Sequence, residues 1–254
     1  MVRVAVSGLG LATVLVILTL LGTTRGPAPV ASAQQQTFAI EGVIINGSIG
    51  GSVADGLTVT LHVDSAIGSE NILTTSDDQG RFQFNDVLYE PESAYGVSLR
   101  FQGAVYGKDI DLADDSTDLV LITVYDATTD DAVVSVTSAS LLFTEVNRAS
   151  QTIVTLEIIR LLNASDTAYV PGNEPMQLLR FGLPPGATNL QLDTLLIGAD
   201  FAQVDLGFAL FASIPPGEHE IMFSYEFPYL DSEFTLEKSY RYGADTIRVL
   251  APFE

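Results

Sequence analysis

Gly56-Leu-Thr-Val-Thr-Leu-His-Val63 is the stretch on which the fold turns. In an extended chain Leu57, Val59, Leu61 and Val63 fall on one side, and Thr58, Thr60 and His62 on the other. Strict alternation with many β-branched residues marks a half-buried strand; it does not fit the 3.6-residue period of a helix. Upstream, Phe38-Ala-Ile-Glu-Gly-Val-Ile-Ile-Asn-Gly47 alternates and ends in a turn dipeptide. Downstream, Asn71–Ser76 reads as a shorter strand and Asp77-Asp-Gln-Gly80 as a turn. Arg81-Phe-Gln-Phe84 follows, with Phe82 and Phe84 on one face, and then come Tyr95–Phe101 and Leu119–Tyr125. Short strands at this spacing predict a β-sandwich over 37–126.

Asp126-Ala-Thr-Thr-Asp-Asp131 is a polar break, and the pattern resumes beyond it. Strands are expected at Val133–Phe143, Thr152–Leu162, Gln177–Phe181, Gly207–Ala212, Glu220–Phe227, Phe234–Tyr242 and Thr246–Leu250. Pro184-Pro-Gly186 and Pro215-Pro-Gly217 read as hairpin or sheet-crossing turns. The expectation is an all-β chain with a second sandwich, immunoglobulin-like in a broad sense, over 132–254. The last residues, Ala251-Pro-Phe-Glu254, follow a strand directly, which leaves room for a longer natural protein with a C-terminal anchor.

Thr75-Ser-Asp-Asp-Gln-Gly-Arg-Phe-Gln-Phe84 resembles the T-x-D-x-x-G-x-F-x-F signature of carboxypeptidase regulatory-like domains. Glu41-Gly-Val-Ile44 and Tyr95-Gly-Val-Ser-Leu99 fit the same pattern. The resemblance covers about a third of the chain. It implies a transthyretin-like β-sandwich, usually an accessory module of extracellular proteins and not a catalyst. Related surface domains carry a Lys–Asn crosslink anchored in the first strand. That strand has no lysine here, and the chain has only Lys108 and Lys238, so the crosslink is not expected.

The first 33 residues form a leader. Arg3 supplies the positive start, Val4–Leu21 is almost wholly apolar, and Gly22–Ala33 breaks any helix and ends in Ala31-Ser-Ala33. This pattern predicts a signal peptide cleaved before Gln34. The rival reading is an uncleaved anchor, since about 18 apolar residues just span a bilayer. Either way the remainder is expected outside the cytoplasm, secreted, periplasmic or on the cell surface.

The chain carries 11 basic and 32 acidic residues, a net charge of −21. The leader holds two of the cations, Arg3 and Arg25, and no acid, so 9 basic residues face 32 acidic ones beyond it. Such a surface repels nucleic acid and anionic membranes and favours cations as ligands. Membrane attachment is expected only through an uncleaved leader or an anchor beyond Glu254. The absence of cysteine excludes disulfides, thiolate metal sites and thiol nucleophiles.

Asp109, Asp111, Asp114, Asp115 and Asp118 lie within ten residues and form the candidate metal site. Calcium takes six to eight oxygens from flexible loops, although the spacing is not that of an EF-hand. The alternative is a charged loop that stays solvated. Asp77-Asp78 reads as a turn former. His62 sits on a strand's polar face and His219 at the start of a turn, in different halves, so neither builds a zinc site. Tyr225, Phe227, Tyr229, Phe234, Tyr240 and Tyr242 could stack on a sugar or partner chain, or simply pack. Asn46-Gly-Ser48 and Asn163-Ala-Ser165 match the glycan acceptor pattern of eukaryotic secretion, a route the cysteine-free composition does not favour. No G-x-S-x-G elbow occurs, and nothing singles out a catalytic carboxylate pair.

The reading is an exported, non-catalytic structural or interaction module of the bacterial cell envelope, without a resident cofactor, whose partner is an envelope protein or a glycan. The alternatives left open are an accessory protein binding calcium or carbohydrate, and an enzyme with an unrecognised carboxylate site.

Overall fold

The computed structural model describes residues 36–53, 55–112, 119–174, 177–230 and 235–251. Met1–Ala33, with the leader, lies outside them. Among the described residues the chain is all-β, with several sheets in face-to-face layers. Among those residues no helix is long and apolar enough to cross a membrane.

The first half contains β1 (Thr37–Asn46), β2 (Thr58–Ser65), β3 (Gly68–Thr75), β4 (Arg81–Leu88), β5 (Ala94–Phe101), β6 (Ala104–Ile110) and β7 (Val120–Val124). They form a three-stranded sheet, β4-β1-β7, and a four-stranded sheet, β3-β2-β5-β6. The inward side chains of both pack into one core. Val59 and Leu61 of β2 are buried there, as the alternation of the sequence requires. Phe82 and Phe84 are buried opposite, each contributing about 1.5–3 kcal/mol of burial.

Two glycines make this packing possible. A Cβ on Gly42 would collide with the tip of the Phe82 ring, at its Cζ. Gly80, at φ +73°, ends the turn after Asp77, and a Cβ there would strike the Ile44 carbonyl. The Asp77 carboxylate holds the turn by accepting from the backbone N–H groups of Gln79 (2.9 Å) and Arg81 (2.7 Å).

The second half begins after β8 (Ala127–Thr128) and the 3₁₀ turn Asp131–Val133, capped by the Asp130 side chain. It contains β9 (Val134–Asn147), β10 (Thr152–Asn163), β11 (Ala168–Tyr169), β12 (Leu179–Gly182), β13 (Thr188–Thr194), β14 (Asp200–Val204), β15 (Gly207–Phe211), β16 (Gly217–Pro228) and β17 (Thr246–Leu250). A five-stranded sheet, β13-β16-β10-β9-β17, faces a three-stranded one, β12-β15-β14. Their shared core is aromatic, with Phe181, Phe208, Phe223, Tyr225 and Phe227 in successive ring contacts. Both Pro-Pro-Gly turns carry the chain between these sheets, one from β12 to β13 and the other from β15 to β16.

Three expectations are corrected. The Phe234–Tyr242 strand is absent from the ladders: 235–242 is an extended strap without strand pairing, and Phe234 lies outside the described residues. His219 belongs to β16, not to a turn, and its Nε2 lies 2.8 Å from the Pro215 carbonyl. The acidic loop begins later than expected, because Asp109 and Ile110 close β6.

The halves meet at β11, which pairs in parallel with β8. Its alternation serves both cores: Ala168 and Val170 enter the first, and Tyr169, fully buried, enters the second. Ser48 adds a polar lock, its Oγ donating to the Asp166 carbonyl (2.6 Å) and accepting from the Asp126 N–H (2.8 Å). The Gln102 side chain, on the β5–β6 turn, donates to Asp126 Oδ1 and accepts from the Ala127 N–H.

Candidate functional site

β12 is an edge strand, and its backbone groups that turn away from β15 need partners. The strap provides them with side chains. Tyr242 Oη accepts from the Arg180 N–H at 2.9 Å, and Lys238 Nζ donates to the Gly182 carbonyl at 2.6 Å. Burial alternates along 235–242, with Leu236, Lys238, Tyr240 and Tyr242 turned inward. The sequence periodicity therefore reported an extended chain, but not a hydrogen-bonded strand.

Lys238 also reaches Glu157, an acid on the core face of β10 beside Ile159 and Leu161. Nζ lies 2.6 Å from Glu157 Oε1, with the lysine side chain 11% and the glutamate side chain 1% exposed. Tyr225 Oη donates to the same oxygen at 2.6 Å, and Tyr240 Oη approaches Oε2 at 3.5 Å. The ammonium stands over the rings of Phe223, Tyr225 and Tyr240 at 5.6–5.9 Å from their centroids. Burial, and then the Glu157 charge, push both the Tyr225 and the Tyr240 hydroxyls well above the ordinary tyrosine range. Both phenols stay protonated and act as donors, so they hold the carboxylate and do not serve as bases. Lysine, carboxylate and phenols are all engaged with one another, an arrangement suited to pinning the strap.

Outside this cluster, the strap and the β12-β15-β14 sheet border a cavity of about 550 Å³. Arg180, Lys238 and Arg241 line it among mainly apolar residues, including Leu178, Ala202, Val204, Leu206, Ala209 and Phe211. Arg241 is paired with Asp131 at 3.3 Å. This is the candidate binding site.

The residues singled out in the sequence are distributed differently. Tyr225 and Phe227 are core and Tyr229, Tyr240 and Tyr242 are half-buried, so these five rings form no exposed stacking platform; Phe234 lies outside the described residues. Asp109, on β6, pairs with Gly96 of β5, and Asp111 follows the strand. Asp114, Asp115 and Asp118 lie outside the described residues. Among the described residues no three acidic or histidine side chains gather as a metal site. His62 lies 2.7 Å from both Asn71 Oδ1 and Ser98 Oγ on the outer face of its sheet. The sequence did hold a signal for Glu157: it occupies an inward position of β10, where an acid needs a buried partner.

No family model matches the chain, and no curated protein does. Among solved structures it is similar to the serine-rich repeat adhesion glycoprotein of Streptococcus agalactiae, at 10% identity and a TM-score of 0.23, over 77% of this chain and 89% of that one. It is similar also to the full-length major pilin of Streptococcus pneumoniae, at 10% identity and a TM-score of 0.22, over 75% of this chain and 45% of the pilin. Scores this low fix neither a family nor a function.

Proposed function

We propose that the chain is an exported, non-catalytic structural or interaction module of the bacterial cell envelope. Two consecutive β-sandwich domains, the first resembling carboxypeptidase regulatory-like domains, stand behind a removable signal peptide. The observation that carries this reading is β11, which feeds alternate side chains into both cores and so joins the halves as one body. A fixed pair of sandwiches suits holding a partner surface at a set angle. The leader and the acidic balance support a place outside the cytoplasm. The saturated bonding of Glu157, Lys238 and the two tyrosines favours a structural role over a catalytic one for the most buried charges in the site.

A pull-down from native envelope extract, with the chain from Gln34 as bait, tests this reading. It is run once with calcium and once with chelator. The expected result is a saturable protein or glycan partner. Calcium dependence would direct attention to Asp109, Asp111, Asp114, Asp115 and Asp118. Retention of nothing under either condition overturns the interaction role.

A further inference from the structure

We infer that the cavity beside β12 binds a small amphipathic monocarboxylate, with its carboxylate on Arg180 and its apolar body on the outer face of the β12-β15-β14 sheet. This goes beyond the envelope role and does not depend on it.

The first argument is charge. Beyond the leader the chain has 9 basic residues against 32 acidic ones, yet three of the nine line this one cavity and no acid does. Glu157 neutralises Lys238 and Asp131 pairs with Arg241. Arg180 has no ion-pair partner among the described residues. Its Nε and Nη2 are buried without a hydrogen-bond acceptor. These two nitrogens present parallel N–H groups, the edge of a guanidinium that meets both oxygens of one carboxylate. A buried donor pair without an acceptor is costly, and a ligand that supplies two acceptors relieves that cost.

The second argument is shape. Arg180, Ala209 and Ala202 are neighbours across the sheet, as the strand registers show. The two alanines leave a trough beside the arginine, with Val204, Leu206 and Phe211 as its exposed apolar rim. A cavity of about 550 Å³ is of the size that takes small ligands. Arg180 as a whole is half-buried, and the fork is sealed in the free protein. Binding therefore requires rotation about the outer bonds of the side chain to bring the fork into the trough, a selection of an alternative rotamer.

The chemistry has two sources: a free aliphatic acid, or the C-terminal carboxylate of an apolar peptide. Calorimetric titration of the purified exported protein with octanoate, octanol and octylamine tests the charge requirement. Acetyl-trileucine and its C-terminal amide form the peptide arm. Octanoate or the free-acid peptide is expected to bind at least about tenfold more tightly than its uncharged counterpart, the worth of one charged hydrogen-bonded pair. The tighter arm identifies the source. Arg180→Met should abolish that preference, and Arg180→Lys, which lacks the fork, should retain only part of it. Ala202→Leu fills the trough without touching Arg180 and should weaken both acids. Equal binding of octanoate and octanol, no binding of any probe to the wild type, or unchanged octanoate binding by folded Arg180→Met overturns the proposal.

Discussion

The two halves of the chain close their cores by different means. In the first, three strands face four, and the inward positions are filled by apolar side chains. In the second, five strands face three, and the missing cover comes from the strap 235–242. The strap has no ladder of its own. Lys238, Tyr240 and Tyr242 hold it by side-chain bonds to Glu157 and to the edge of β12. A β core can therefore be completed without a strand, provided that buried polar groups find one another. That makes the second half more sensitive to single polar changes, and the first more sensitive to changes of shape.

The largest effect is expected where the halves share a residue. Tyr169→Ala removes a fully buried ring and should cost about 3–5 kcal/mol, splitting one calorimetric transition into two. A single transition of unchanged midpoint would show that β11 does not couple the halves. Next comes the ion pair. Glu157→Ala leaves Lys238 without its carboxylate and should cost about 3–5 kcal/mol in urea unfolding, whereas Glu157→Met with Lys238→Met should be nearly neutral. If both variants lose the same stability, the strap is held by packing and not by charge.

In the first half, Gly80→Ala should cost about 1–3 kcal/mol through its left-handed backbone, and more where the new Cβ meets the Ile44 carbonyl. Chemical denaturation measures it, and a neutral result would remove the contrast between the halves. Alkaline pH provides a milder test. Tyr225 and Tyr240 have raised folded-state pKa values, so they titrate first in the unfolded chain. The stability they contribute is complete below pH 10.0, the ordinary tyrosine value, and falls as pH rises above it. Tyr225→Phe should flatten that fall in a series of denaturation midpoints. The smallest effect belongs to Arg160 and Glu220, an exposed pair at 3.3 Å, where a double-mutant cycle should give less than about 1 kcal/mol.

The elements most legible in the sequence are those with one fully buried face. β2 and β10 alternate because one side meets a core, and each was readable to within a residue or two. β6, β13 and β14 were not singled out. β14 has no buried residue and β13 none beyond half-buried, so hydrophobic periodicity had little to report. The strap failed in the opposite way, since its alternation is real but its backbone bonds are not those of a sheet. Arg180 was not legible as a binding residue. Its isolation depends on which side chains surround it after Leu178–Gly182 and the strap come together, and on where Asp131 and Glu157 are already committed.

One feature of the topology bears on mechanics. β1 lies parallel to β7 over Gly42–Asn46, and β17 lies parallel to β9 over Thr246–Leu250. In each half, then, the strand nearest one end of the half is zipped alongside the strand nearest its other end. Tension transmitted along the polypeptide drives such partners past each other lengthwise, loading all the bridging bonds together instead of peeling them singly. Such lengthwise loading resists stretching better than peeling does, so the parallel pairings of β1 with β7 and of β9 with β17 set the mechanical strength of each half.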